Sequence, residues 1–310
     1  MQSARTVFLV RPTRFAFNAE TAQSNHFQQP LAGLDEQTIQ ARAFSEFDAA
    51  VAALSVRGVE VVVFDDTPEP HTPDAIFPNN WGTFHADGHV LLYPMCAPNR
   101  RAERRLDILA ALGRHFTIRQ VTDLSAHEQE GRFLEGTGSI IFDHVHRVAY
   151  AGLSVRTEES LFREVAARLG YEAVAFRAAD ARGQEIYHTN VMMCLGAAFA
   201  VICLESIRDP VERATVVASL RRTGREILAI TLQQVVCFVG NMLTVQSAYG
   251  TELLVLSQTA YEALESEQRH ALSRYAELVP LAIPTIESIG GGSARCMLAE
   301  VFLPAAESRP

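Results

Sequence analysis

The stretch Phe77–Tyr93, FPNNWGTFHADGHVLLY, decides how the chain is read. A polar step, Pro78-Asn79-Asn80, precedes a short apolar run, and Ala86-Asp87-Gly88 then turns the chain into a second run, the pattern of a β-hairpin. The pattern returns along the chain. FLEGTGSIIFDHVHRVAYAGLS from Phe133 turns near Asp143-His144, YHTNVMMCLGAAFAVICLES from Tyr187 around Gly196, and FVGNMLTVQSAYGTELLVLS from Phe238 around Gly250. A fifth copy, GGGSARCMLAEVFLP from Gly290, lacks its second strand, which VFLV at Val7–Val10 is placed to supply.

The copies begin 51 to 56 residues apart. That is longer than a helical-hairpin repeat, so each unit is predicted to hold two or three strands and a helix. Apolar residues at helical spacing place helices at Asn99–Gly113, Glu158–Leu169, Asp209–Arg225 and Gln258–Tyr275, with a further one at Glu36–Leu54 before the strand VEVVVF. Thr157 and Asp209 suit N-caps, Pro210 a first helical position, and Gly113 and Gly170 C-terminal stops. Five units that cannot each bury an apolar face should pack around one centre, strands inside and helices outside, as a single pseudo-fivefold α/β domain over residues 1–310. The bland alternative is a doubly wound α/β sheet. No GxGxxG opens a helix, which counts against its dinucleotide-binding form.

Composition limits the function classes. The chain has 310 residues, 48% apolar and 20% charged, with 27 basic against 36 acidic side chains and a formal charge of −9. An acidic chain without a polybasic stripe is a poor match for nucleic acid. No apolar run reaches membrane-spanning length and the N-terminus lacks a signal-type apolar region, so a cytoplasmic protein is expected, without a membrane partner. Five cysteines at 96, 194, 203, 237 and 296 are odd in number and show no CxxC spacing. Neither a disulfide framework nor a zinc site is indicated, although His144 and His146 flank Val145.

Chemistry concentrates where the repeats begin. Cys296 follows Gly290-Gly291-Gly292, which allow close backbone approach; taken alone, a cysteine there is more often a small buried residue. Cys194 and Cys203 fall within apolar strands and carry only that reading. His188, in YHTNVMM, occupies the matching position of its own unit, where a lone histidine is usually structural. Glu135 and Asn80 share that placement, and Asn241 does so less clearly. Matching positions around a pseudo-symmetric ring converge, so a thiol, an imidazole, a carboxylate and amides would share one pocket. That is the set needed for a nucleophile, a proton carrier and its orienting partner.

FLEGTGSII, GLSVRT, YHTNVM and the terminal GGGSARCML, in this order, resemble the guanidine-modifying (pentein) superfamily. It includes arginine deiminase, dimethylarginine dimethylaminohydrolase, succinylarginine dihydrolase and the amidinotransferases. RPTRFAFNAETAQSNHFQ and LLYPMCAPNRRAERR resemble its bacterial amidinotransferase-related branch, which contains citrulline utilisation hydrolases. The resemblance covers almost the whole chain. It implies a five-bladed β/α propeller of ββαβ-type repeats, a central active site, a small amino-acid substrate and no cofactor. A homodimer is compatible with it.

The resemblance assigns Cys296 as nucleophile, His188 as general acid and base, and Glu135 as the carboxylate orienting His188. Arg156, in GLSVRT, matches an arginine that holds a substrate carboxylate; an inter-blade salt bridge is an equal alternative. Arg100 and Arg101 are weaker candidates for the same task, and Asn18 and Asn25 for contact with the substrate's amino-acid end.

Arginine deiminase and its nearest relatives carry aspartates where this chain has Asn80 and Asn190. Amides suit a neutral ureido group better than a buried guanidinium, which calls for a facing carboxylate. The expectation is therefore hydrolysis of citrulline to ornithine, ammonia and carbon dioxide through an S-carbamoyl enzyme, with Cys296 attacking as thiolate beside His188 in charged form. Against this, succinylarginine dihydrolase uses an Asn at the first position and accepts a guanidine, and Glu135 could supply one negative charge. The alternative is a guanidino hydrolase of arginine deiminase or dimethylargininase type, or an amidinotransferase, with the same triad. A non-enzymatic relative, the ribosome-binding initiation factor of this fold, would need no such triad.

Overall fold

Short runs rich in Val, Ile and Leu, separated by turn residues, form strands at every copy of the repeat. The computed structural model describes residues 1–31 and 33–306. The strands are β1 (Thr6–Arg11), β2 (Glu60–Asp65), β3 (Gly82–Phe84), β4 (His89–Leu92), β5 (Gln120–Asp123), β6 (Ile141–Asp143), β7 (Val148–Leu153) and β8 (Glu172–Arg177). They continue with β9 (Met193–Leu195), β10 (Phe199–Ile202), β11 (Glu226–Ala229), β12 (Leu243–Gln246), β13 (Glu252–Ser257), β14 (Glu277–Leu281) and β15 (Ala299–Val301). The predicted turns at Gly88, Asp143-His144, Gly196 and Gly250 join β3 to β4, β6 to β7, β9 to β10 and β12 to β13.

One pairing rule holds in all units. The middle strand runs antiparallel to its hairpin partner and parallel to a third strand: β4 with β3 and β5, β7 with β6 and β8, β10 with β9 and β11, β13 with β12 and β14. The fifth unit is completed by the N-terminal segment, as its sequence suggested. Strand β1 runs antiparallel to β15, with Thr6 opposite Val301, and parallel to β2, with Thr6 opposite Glu60. Val301 and Phe84 then join this unit to the first, giving one six-stranded sheet beside three three-stranded sheets. The fold is α/β with mixed sheets, and no sheet closes on itself into a barrel.

The helices are α1 (Glu36–Ser55), α2 (Leu106–Leu112), α3 (Gly136–Ser139), α4 (Glu159–Leu169), α5 (Pro210–Arg222), α6 (Leu232–Val236), α7 (Gln258–Ala263), α8 (Ser266–Ser273) and α9 (Pro284–Gly290). Asp209 caps α5 and Pro210 opens it, as expected. On α4 the cap is Glu158, not Thr157, because the Glu158 carboxylate accepts from the Ser160 and Leu161 amides. The predicted Asn99–Gly113 helix is shortened to α2. Its first half is a 3-10 turn, Pro98–Glu103, in which Arg100 points inward and is buried against Glu103. The predicted Gln258–Tyr275 helix is two, broken at Leu264-Glu265, where Glu265 and Gln268 form a capping box for α8. None of the described helices is long and apolar enough to cross a membrane.

Where β1 meets the first unit, Phe8 packs edge-on to Phe84 at 5.3 Å and against Trp81 at 5.8 Å between ring centroids. All three rings are buried, so the N-terminal strand is fixed by core packing as well as by its ladder.

Candidate active site

In four of the five units the first strand follows a short helical turn that carries polar side chains: Pro78–Asn80 before β3, α3 before β6, Thr189–Val191 before β9 and Ala294–Met297 before β15. Neighbouring turns touch, which gathers Asn80, Glu135, His188, Asn190 and Cys296. Before β12 the chain makes a turn without a helix, and Asn241 occupies it.

The approach is close enough to require glycine. A side-chain carbon at Gly138 would lie 2.3 Å from Asn80 Nδ2 and 2.8 Å from the His188 ring. At Gly291, whose φ is +62°, it would lie 2.6 Å from Asn25 Nδ2. The GTG of FLEGTGS and the GGG before Cys296 are thus space for the imidazole and for the N-terminal loop.

His188 Nε2 lies 2.8 Å from Glu135 Oε2, while the Nδ1 edge of the ring packs against Gly138. Burial lowers the His188 pKa to about 4 although Glu135 opposes the change. The resting imidazole is therefore neutral at pH 7, not charged as expected, because desolvation outweighs its single carboxylate. Burial acts in the opposite sense on Glu135, but Arg156, His188 and Arg100 outweigh it and hold that carboxyl well below the usual carboxylate range. Its other oxygen accepts the Cys96 amide at 2.9 Å, so the carboxylate cannot rotate freely.

Two amides face the Cys296 sulfur, Asn190 Nδ2 at 3.4 Å and Asn241 Nδ2 at 3.3 Å. Such donors suit a negatively charged nucleophile. Asn241 is itself held by the Arg295 amide, 3.0 Å from its Oδ1. Asn190 Oδ1, by contrast, is buried without a partner.

Cys296, His188, Asn80, Asn25, Arg100 and Arg156 line one cavity, which Asp74 also lines. Its volume is about 10 Å³, close to that of a single water. Asn18 lies one hydrogen bond behind it, 2.9 Å from Asp74 Oδ2. Asn25 holds the glycine run, 3.1 Å from Gly291 O. The two guanidinium groups are engaged within the protein. Arg100 grips Glu103 through two nitrogens at 2.9 and 2.8 Å and reaches Asn80 Oδ1 at 2.9 Å. Arg156 lies over the Tyr187 ring, donates to Ser24 Oγ at 2.7 Å and Thr21 O at 3.1 Å, and lies 3.5 Å from Glu135. Arg101 turns away to Glu128 at 3.3 Å and does not line the cavity.

Asp74 is the residue that sequence reasoning missed. It precedes Asn80 by six positions in PDAIFPNN and is buried with Oδ1 unpaired. A lone acid flanked by proline and apolar residues was the available signal. The site thus holds a second carboxylate besides Glu135, one with an oxygen that has no hydrogen-bond partner.

The family model of N,N dimethylarginine dimethylhydrolase, eukaryotic, matches residues 11–303. A search of curated proteins finds no match. Among solved structures, ArgZ, an arginine dihydrolase from the ornithine-ammonia cycle in Cyanobacteria, aligns with a TM-score of 0.75 at 18% identity over 97% of this chain. This chain spans only 41% of that protein's length. The ArgZ N-terminal domain, in a cysteine-to-serine form bound to substrate, aligns with a TM-score of 0.74 at 18% identity, covering 96% of this chain and 98% of the domain. A dimethylarginine dimethylaminohydrolase carrying an S-methyl-L-thiocitrulline adduct aligns with a TM-score of 0.67 at 15% identity, covering 96% of this chain and 99% of the other. At these identities the structural likeness establishes the fold alone, whereas the family model covers nearly the whole sequence. The chain belongs to the N,N-dimethylarginine dimethylhydrolase family, within the pentein superfamily of guanidine-modifying enzymes.

Proposed function

We propose that the chain is a cysteine-dependent hydrolase of a guanidino amino acid of the arginine class. One observation carries this reading: the cavity beside Cys296 offers a buried carboxylate, Asp74, whose Oδ2 faces Arg100 at 3.7 Å and whose Oδ1 has no partner. A guanidinium has only N–H donors, and an unpaired buried carboxylate oxygen is the acceptor that favours a cation over a neutral ureido group. The unpaired Oδ1 of Asn190 adds a second acceptor. Family membership and the arginine dihydrolase activity of ArgZ point the same way.

In the proposed mechanism, neutral His188 takes the Cys296 thiol proton as sulfur attacks the guanidino carbon. The tetrahedral adduct expels an amine, which leaves with that proton, and a thiouronium enzyme remains. His188 then deprotonates a water that attacks the same carbon. Sulfur departs, recovers a proton, and a ureido product is released. The balance is guanidinium plus water giving ureide plus an ammonium ion. Because the cavity holds about one water, substrate admission requires the Asn18–Gln28 segment, held by Arg156 and Gly291, to move aside.

A second reading rests on Asn80. Its Nδ2 is an unpaired donor, which a guanidinium cannot use but a ureido carbonyl can. A second round on the ureido group would give the free amine, ammonia and carbon dioxide. Arginine, dimethylarginine and citrulline assayed side by side for ammonia and methylamine release test both readings. Turnover of citrulline with no guanidino turnover would overturn the first, and undiminished activity in Cys296→Ala would overturn the mechanism. The five units are read, as part of the same proposal, as blades of one propeller forming a single domain over residues 1–310.

A further inference from the structure

The catalytic cavity has a much roomier neighbour. A hollow of about 590 Å³ lies beside it, bounded by the His26–Gln29 loop, the Asp180–Ile186 segment, α6 and the start of α9. That volume suits a small organic ligand. Tyr187 lines both cavities. Its ring stands edge-on to Phe27 at 6.1 Å, and Phe27 packs on Phe238 at 5.2 Å, so aromatic rings form the partition.

The lining has a definite chemistry. Phe27, Ile186, Val235 and Phe238 give an apolar floor. Asp180, Glu185 and Glu287 set three acidic side chains against the one guanidinium of Arg182. Glu185 stands exposed on its segment, and Asp180 turns one oxygen to the Arg182 and Gln184 amides. A cation with an apolar body complements this surface, and an anion does not.

The hollow also abuts the elements that shape the catalytic cavity. Glu287 Oε1 accepts from Ser293 Oγ at 2.6 Å, and Ser293 O accepts the Cys296 amide at 2.9 Å. On the other wall, Gln29 N donates to Ser288 O at 2.6 Å, tying the loop to α9. A molecule seated on Phe27, Glu287 and Ser288 would brace the loop against α9 and oppose the movement that admits substrate.

We infer that this hollow is a second ligand site, for a small organic cation with a short apolar stem, and that its occupancy slows access to Cys296 without filling the catalytic cavity. The site itself does not depend on which substrate the enzyme takes. The test uses n-butylamine as probe and butyrate as its anionic control, titrated calorimetrically into protein whose Cys296 has been alkylated with a 2-haloacetamidine. The expected result is saturable butylamine binding, absent for butyrate and weakened at least tenfold in both Glu185→Gln and Val236→Arg, with melting curves confirming that both variants fold. In unmodified protein, butylamine should slow haloacetamidine labelling to a finite plateau. Binding lost on alkylation, equal binding of butyrate, indifference to both variants, or labelling suppressed to zero would each overturn the proposal and leave the hollow as a passage only. Failure of the haloacetamidine to label Cys296 would instead count against the catalytic reading, and the same titrations on unlabelled protein would still decide the second site.

Discussion

Arg100 Nη1 donates to Asn80 Oδ1 at 2.9 Å, which leaves the nitrogen of that amide as its unpaired end, next to Gly138 and the catalytic cavity. Arginine has no acceptor, so the contact fixes the orientation of the amide. Asn80 is therefore a donor in this pocket.

Asn80→Asp keeps the contact with Arg100 and replaces the donor by an acceptor. Ureido hydrolysis is expected to fall by about 10²–10³-fold, the usual cost of losing one donor to developing charge, while guanidino hydrolysis stays within about tenfold. Parallel citrulline and arginine assays check this. An equal loss on both substrates would assign Asn80 a purely structural role.

Glu135→Gln removes the partner that orients His188 and leaves Arg156 without its nearby carboxylate. By analogy with carboxylate-to-amide changes in catalytic triads, kcat should drop by about 10³–10⁴-fold with KM little changed. Stability should fall by about 3 kcal/mol, because a buried charge loses its counter-ion. Steady-state kinetics and urea denaturation measure the two effects separately.

Acid should destabilise the protein well before carboxylates titrate. Burial lowers His85 and His188 to about 4 and His144 to about 3, from an ordinary 6.5. Since the folded values are depressed, the unfolded chain binds more protons below pH 6.5. The stability associated with these neutral rings is full above that pH and is lost as pH falls from 6.5 toward 3 to 4. The contribution over that window is about 3 kcal/mol for each of His85 and His188 and about 5 kcal/mol for His144. Glu135, held low, keeps its contribution down to about pH 4.5, below which the unfolded carboxyl takes up protons first and that contribution is lost too. Denaturation midpoints measured from pH 7.5 to 4.5 should decline steadily, and His85→Gln should flatten the slope.

Phe8→Ala empties a site between Phe84 and Trp81 and should cost about 3–5 kcal/mol. Thermal unfolding measures it. A change below about 1 kcal/mol would mean that β1 is not anchored by this cluster.

Local patterns were legible in the sequence where one residue type settles the geometry. Asp87-Gly88 announces a hairpin, Asp209-Pro210 a helix start, and the missing strand after Glu300 points to Val7–Val10 as its replacement. What escaped depended on partners distant in sequence. Arg100 reads as one face of a basic amphipathic helix until Glu103 and Asn80 draw it inward, and this leaves only Leu106–Leu112 as α-helix. Asp74 reads as a loop acid until the fold buries it beside Cys296. The charge on His188 was misjudged for the same reason: the carboxylate partner is visible as a motif, whereas the depth of burial that outweighs it is a property of the assembled core.

The pairing of β1 with β15 has a consequence for biosynthesis. The turn bearing Cys296 leads directly into β15, whose ladder partner lies almost three hundred residues earlier. A nascent chain therefore carries His188 and Glu135 off the ribosome long before any nucleophile can be seated, and the thiol finds its place only when residues near 301 emerge to meet a waiting strand. Deleting the first eleven residues should silence the enzyme with every catalytic side chain still encoded.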